Sequence, residues 1–363
     1  MGLEHYVPRG YLRHFAPEND DLVSRYSLVE KHEGGGYHSP RDRYPIKKAA
    51  AIENFADGWL ETDDTSFAER EMLESLRRLI SNEELTEDDI AGISTFLAFQ
   101  HSRTPKSVLF YSAREKIPHQ IDQHRPDLPE KYNDGWKNAL IHNVEEGYHN
   151  FQFMGWIVAE NYTDIPLITS DKPDVHYLHP DFEEVSSTAT QMRGREVYLP
   201  LDQDHILILL DPEYFDVESQ YPSTEIKRMQ LSNSKEIHKF NILQGVNAFQ
   251  EVFGPVSKGD YLENIIETLC EHYPHEDFIR GNRADLETLM KATDLATGME
   301  TEAERQLYQE KYRPLIQSRK LKSDAIWMLN HNLELTSDLL RDEPKSGYWD
   351  RIQSGEDPPR KSD

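Results

Sequence analysis

The segment Gln100-His-Ser-Arg103-Thr104-Pro105 places an amide and a guanidinium at the end of an apolar helical stripe. From Ile93, steps of four and three reach Leu97 and Gln100. From Phe96, steps of four and three reach Gln100 and Arg103, so both continue the inward face. Polar groups turned inward are costly unless paired. Two uses satisfy that requirement. Arg103 can cap helix carbonyls or pair with a structural carboxylate. Alternatively Gln100, Arg103 and Thr104 line a pocket for an anionic or amide-bearing ligand, which the rigid bidentate fork of Arg suits.

A second group sits in Pro166-Leu-Ile-Thr-Ser170-Asp171-Lys-Pro173. An apolar strand runs into polar residues and then a proline, and strand ends on a rigid scaffold often face a site. Asp171 can act as a general base, a metal ligand or the partner of Arg103, or form an Asx-turn. Ser170 is a nucleophile candidate, without a base identifiable from sequence. A third group is His5-Tyr-Val-Pro8 with Arg13. Tyr6, Tyr11 and Phe15 bury this segment, so His5 can serve acid–base work near neutral pH.

Other histidine spacings carry less. Asp174-x-His176-x-x-His179 and His272-x-x-His275 have metal-compatible spacing but no third or fourth ligand in sequence, and structural or surface roles are expected. No metal site and no specific cofactor is assigned. GxxxxGK[ST], GxGxxG, HExxH, GxSxG and CxxC are all absent.

These residues must be positioned by a mixed scaffold. Pro8 opens a short helix bearing Tyr11, Leu12 and Phe15. Thr65–Ser81 is helical, and Thr86-Glu-Asp-Asp89 is an N-cap pattern that opens a second helix. Pro105 ends that helix near Arg103. Further helix is expected around 106–117 and 131–147. Leu22–Val29, Phe151–Glu160, Pro166–Thr169, Glu196–Leu201 and His205–Leu210 read as strands. Ser234–Phe253 and Tyr261–Cys270 return to helix. The expected fold is α+β: a helical N-terminal half, a mostly antiparallel central sheet and a helical C-terminal extension. Residues 1–275 form the main domain, 276–340 a polar helical extension and 341–363 a disordered tail.

Composition narrows the function classes. The 363 residues carry 40 Lys and Arg against 66 Asp and Glu, a net charge of −26. Such a chain repels polyanions at long range, which argues against non-specific nucleic-acid binding. A small basic pocket inside the acidic shell remains compatible with it. Cys270 is the single cysteine, so no intrachain disulfide forms. No run approaches a membrane span, and MGLEHYVPRG lacks the pattern of a secretory signal. The expectation is a cytoplasmic protein.

Taken in order, HYVPRGYLRHF, FQHSRTP, TSDKP, YLPL and the late Asn247 resemble the domain-of-unknown-function family 4238, over about residues 4–255. The resemblance implies a shared fold and pocket, not a reaction. Carried over, it picks out His5, Tyr6, Pro8, Tyr11, Arg13 and Phe15, then Gln100, Arg103, Thr104 and Pro105. It continues with Thr169, Ser170, Asp171 and Pro173, then Pro200, Leu201 and Asn247. A glutamate of the first long helix also belongs to the pattern, with Glu69 and Glu71 both eligible.

The primary functional expectation is a hydrolase-like enzyme acting on a phosphate-bearing or nucleotide-like small substrate. Arg13 and Arg103 would neutralise the anion, His5 or Asp171 would move the proton, and Gln100, Thr104 and Asn247 would bind substrate. The alternative is a non-catalytic ligand- or partner-binding module whose polar residues form a structural network, with 276–340 contacting a protein partner. A nuclease is disfavoured by the charge and the missing motifs.

Overall fold

His205-Ile-Leu-Ile-Leu-Leu210 has no polar residue after its first, so a strand built from it must be covered on both faces. The computed structural model describes residues 3–18, 20–28, 41–53, 62–104, 135–178, 194–272, 301, 303, 306, 334–345 and 347–354, and there this segment is a central strand. In chain order the first elements are β1 (Leu3–His5), α1 (Arg9–Leu12), β2 (Leu22–Ser27), β3 (Arg41–Pro45) and β4 (Ala51–Glu53). Helices α2 (Asp63–Ile80), α3 (Glu87–Ser102) and α4 (Gly135–Gln152) follow. Then come β5 (Gly155–Asn161), β6 (Thr169–Ser170), β7 (Val175–Leu178), β8 (Arg195–Pro200), β9 (His205–Leu210) and β10 (Lys227–Leu231). The described chain closes with α5 (Ser234–Asn247), β11 (Glu251–Gly254), α6 (Gly259–His272), α7 (Glu334–Ser337) and α8 (Tyr348–Gln353).

The larger sheet has the order β10-β5-β9-β8-β7, with β9 in the middle. Its pairings are antiparallel except for the parallel β10–β5 edge. Alternation along β9 divides the core. Leu207 and Leu209 face a cluster with Leu76, Ile93, Phe96 and Leu97 of α2 and α3. Ile206, Ile208 and Leu210 face a cluster with Ile237, Phe240 and Leu243 of α5. The second sheet, β3-β2-β11-β6, is antiparallel, and β1 pairs with β4.

Helix α3 carries the candidate Gln100–Arg103 segment. Thr86 and Asp89 form a reciprocal capping box at its start, and Arg103 is the C-cap. Gly147 of α4 lets the two helices approach closely: a Cβ there would lie 3.0 Å from the Ala98 Cβ.

The α+β class and the antiparallel sheets agree with expectation, but the N-terminal half is not purely helical. It contributes β1–β4, and two of these strands enter the second sheet. The expected helix Ser234–Phe253 stops at Asn247 and gives way to β11. Phe151 and Gln152 belong to α4 rather than to the following strand. The expected tail from 341 is also corrected over its described part. Tyr348 and Trp349 are buried, Tyr348 Oη donates to the Phe153 carbonyl at 2.6 Å, and Trp349 Nε1 donates to Asp211 at 2.9 Å. The expected helix at 106–117 and most of the expected extension at 276–340 lie outside the described residues, as do Pro105 and His179. Among the described residues, no helix is long and apolar enough to cross a membrane.

Candidate functional site

The N-terminal segment lies across the end of α3, and its backbone carbonyls meet the polar side chains that α3 turns inward. Arg103, buried, donates from Nε to the Tyr6 carbonyl and from one terminal nitrogen to the His5 carbonyl, both at 2.8 Å. Its other terminal nitrogen donates to Glu69 at 2.8 Å, and its plane lies over the Phe99 ring. Gln100 Nε2 donates to the same Tyr6 carbonyl at 3.0 Å. Of the two glutamates eligible in the first long helix, Glu69 is the one that pairs with Arg103.

Tyr6 extends the network. Its hydroxyl donates to Asp171 at 3.4 Å. Asp171 also accepts the backbone N–H groups of Phe249 (2.6 Å) and Gln250 (2.7 Å). Burial, then the charges of Asp171 and Glu251, push the Tyr6 phenol well above its ordinary range, so it stays a donor. Tyr11 donates its hydroxyl to the Pro200 carbonyl at 2.6 Å, which leaves Thr169 Oγ1, 2.9 Å away, to donate to Tyr11.

Helix α5 clamps the other side of the Pro166–Asp174 segment with three amides at three-residue spacing. Asn241 donates to the Pro166 carbonyl and accepts from Ile168 N–H. Gln244 donates to the Pro173 carbonyl at 2.7 Å. Asn247 donates to the carbonyls of Lys172 (2.7 Å) and Asp174 (2.9 Å). Ser170 Oγ lies 2.8 Å from the Lys172 carbonyl and 2.9 Å from Gln244 Oε1. Side chains spaced by three fall on one helix face, so a single face of α5 reads one stretch of backbone.

The structure therefore brings His5, Gln100, Arg103, Asp171, Ser170 and Asn247 into linked, buried surroundings, with Thr104 buried beside Arg103. His5 Nε2 lies 3.2 Å from the Lys47 carbonyl. Arg13 is elsewhere. It is exposed and paired with Asp21 at 2.7 Å, so it does not share an anion site with Arg103. Instead Arg13 lines an open cleft of about 460 Å³ between α1 and α2. Arg9, Arg70 and Arg77 line the same cleft, with Glu69 and Glu74 as its carboxylates. Both carboxylates already have cationic partners, Arg103 and Arg77 respectively. Arg70 lies over the Phe67 ring and has no carboxylate partner among the described residues.

One constellation was not foreseen. His101 Nδ1 stands 2.6 Å from Asp174 Oδ2, and His176 Nε2 stands 3.1 Å from the same oxygen. The two imidazole centroids are 4.2 Å apart. Burial alone would raise the Asp174 carboxyl, but the two imidazoles outweigh it and hold the group well below the usual carboxylate range. Burial, and then His101, push His176 down to about 3, so its ring is neutral at pH 7. The Asp174-x-His176 spacing was visible in sequence. Its third member, His101, sits on α3 and is supplied only by the tertiary fold.

No curated protein and no solved structure matches the chain. A family described as a protein of unknown function (DUF4238) matches residues 4–257. That span contains every element of the polar network, from His5 to Asn247, and the chain belongs to this family.

Proposed function

We propose that the chain is a non-catalytic binding module for a phosphate-bearing or nucleotide-like small molecule, with the arginine cleft as its ligand site. The single observation that carries this reading is local charge. Four arginines line one cleft of a chain whose net charge is −26, and its two carboxylates are engaged by cations. Guanidinium groups bind phosphate through paired, charge-assisted hydrogen bonds. Arg70 is the readiest of the four, and the free face of the exposed Phe67 ring offers a nucleobase a place to stack.

The hydrolase alternative needs His5, Asp171 or Ser170 to reach a substrate. Each of them is buried. Asp171 already accepts from three donors, and Ser170 is bonded to its own turn and to Gln244. These contacts favour a frame over a reactive set.

Titration calorimetry with ATP and with inorganic phosphate tests the reading. Saturable binding that weakens about tenfold in Arg70→Ala, a change of ~1.4 kcal/mol, supports it. Absence of saturable binding by the wild type overturns it. Phosphate release abolished by Asp171→Asn in a folded variant would restore the enzyme.

A further inference from the structure

We propose that His101, Asp174 and His176 form a binding site for a zinc-class divalent cation. The site shares no residue with the arginine cleft, so either can fail without the other.

The donor set comes first. Two imidazoles and one carboxylate present ligand atoms that all lie within 4.8 Å of one another. Nitrogen donors favour zinc and its first-row neighbours over the oxygen-seeking calcium and magnesium. Zinc bonds of about 2.0–2.2 Å in tetrahedral array hold ligand atoms roughly 3.3 Å apart. The observed separations of 2.6 and 3.1 Å from Asp174 Oδ2 would open by about 0.7 and about 0.2 Å respectively to reach it.

The second observation is independent of that spacing. Among the described residues, both ring nitrogens of His176 and the Oδ1 atom of Asp174 are buried without a hydrogen-bond partner. The His176 side chain is 9% exposed and that of Asp174 fully buried. His176 Nε2 lies near Asp174 Oδ2 but not in hydrogen-bonding geometry. Buried polar atoms without partners are rare and costly, and a bound ion is one of the few things that accounts for them.

The third observation is support. Two of the three ligands ride on regular elements, and Asp174 directly precedes β7. His101 is in the last turn of α3, and His176 is on β7 opposite Val197 of β8. Asn247 holds the Asp174 carbonyl at 2.9 Å, and the Phe151 ring packs edge-on against His176. The His101 side chain is 34% exposed, so one side of the site is open to solvent. Three protein ligands with an open fourth position is the arrangement of zinc sites that also bind an exchangeable water or small ligand, rather than of closed structural sites.

The test uses the full chain, stripped with EDTA and titrated with zinc chloride against a chromogenic chelator, then dialysed for metal analysis. One zinc per chain is expected. His101→Gln and Asp174→Asn should each weaken binding by more than the ~10–100-fold typical of losing an outer-sphere partner. His238→Gln, half-buried on α5 and remote in sequence from all three ligands, should leave it unchanged. Cobalt(II) in place of zinc should show the intense visible bands of a four-coordinate nitrogen and oxygen site. No saturable zinc uptake by the wild type overturns the site, as does uptake unaltered in the folded variants. If Asp174→Asn fails to fold, His101→Gln and the cobalt spectrum decide, and the weak bands of a six-coordinate ion would count against it.

Discussion

Arg103 and Tyr6 lie 97 residues apart in sequence, and the guanidinium of the first holds the carbonyl of the second at 2.8 Å. Together with the bond to the His5 carbonyl and the pair with Glu69, this ties the N-terminal segment to both α2 and α3. Removing a buried arginine that serves two carbonyls and a carboxylate takes a charged donor from each at once, and Gln100 keeps a hydrogen bond to the Tyr6 carbonyl alone. Arg103→Ala should therefore destabilise the protein by about 3–5 kcal/mol, read as a lower urea midpoint at unchanged slope. Arg13→Ala removes only an exposed pair with Asp21 and should cost less than ~1 kcal/mol. Equal costs for the two variants would contradict the assignment of Arg103 to the frame.

Two buried carboxyls on the larger sheet make stability depend on pH. Burial pushes Glu196 up to about 7 against the pull of its hydrogen bonds. Burial also pushes Asp211 up to about 7, and the charge of Glu213 adds to it. In the unfolded chain such groups titrate near ~4. As pH rises past that value the unfolded state loses its protons while the folded state keeps them, so stability falls until about pH 7 and then levels. Glu196→Gln keeps an acceptor for the Tyr198 hydroxyl and removes one titration. Its stability should fall less than that of the wild type between pH 5 and pH 7.5, by on the order of 3 kcal/mol. Parallel curves would show that Glu196 does not titrate in that window.

The C-terminal segment is a structural part of the sheet domain. Trp349 donates to Asp211, which also accepts from the backbone of Gly194 and Glu213. Trp349→Ala should cost about 3–5 kcal/mol and raise amide exchange at the start of β8 near Gly194. Deleting residues 347–363 should do the same. A truncated chain as stable as the full one would mean that α8 packs without consequence.

Much of this frame was legible in the chain itself. The Thr86–Asp89 cap, the stripe ending at Gln100 and Arg103, and the apolar run of β9 are local signals, and the fold follows them. What was lost is non-local. β3, Arg-Asp-Arg-Tyr-Pro, has no alternation, and its two arginines at 41 and 43 sit on exposed positions of an edge strand. The end of α5 is set by Asp171, whose carboxylate takes the N–H groups of Phe249 and Gln250 just past Ala248, a partner 78 residues away from the first of them. Trp349 and Tyr348 sit in a polar, Pro- and Gly-containing stretch that composition alone reads as tail. Among the site residues, inward facing of Gln100 and Arg103 could be read from helical spacing, but their partners could not. His101 gave no signal, because it needs Asp174 and His176 brought beside it.

The central claim is that the buried motif residues are a frame and that ligand binding belongs to the arginine cleft. The direct measurement titrates ATP into the wild type, Arg70→Ala and Ser170→Ala, with phosphate release followed in the same samples. The account predicts saturable binding by the wild type, binding about tenfold weaker in Arg70→Ala, wild-type affinity in folded Ser170→Ala, and no phosphate release from any of them. Unchanged affinity in Arg70→Ala, or a folded Ser170→Ala that no longer binds or that loses a phosphate release seen in the wild type, would contradict it.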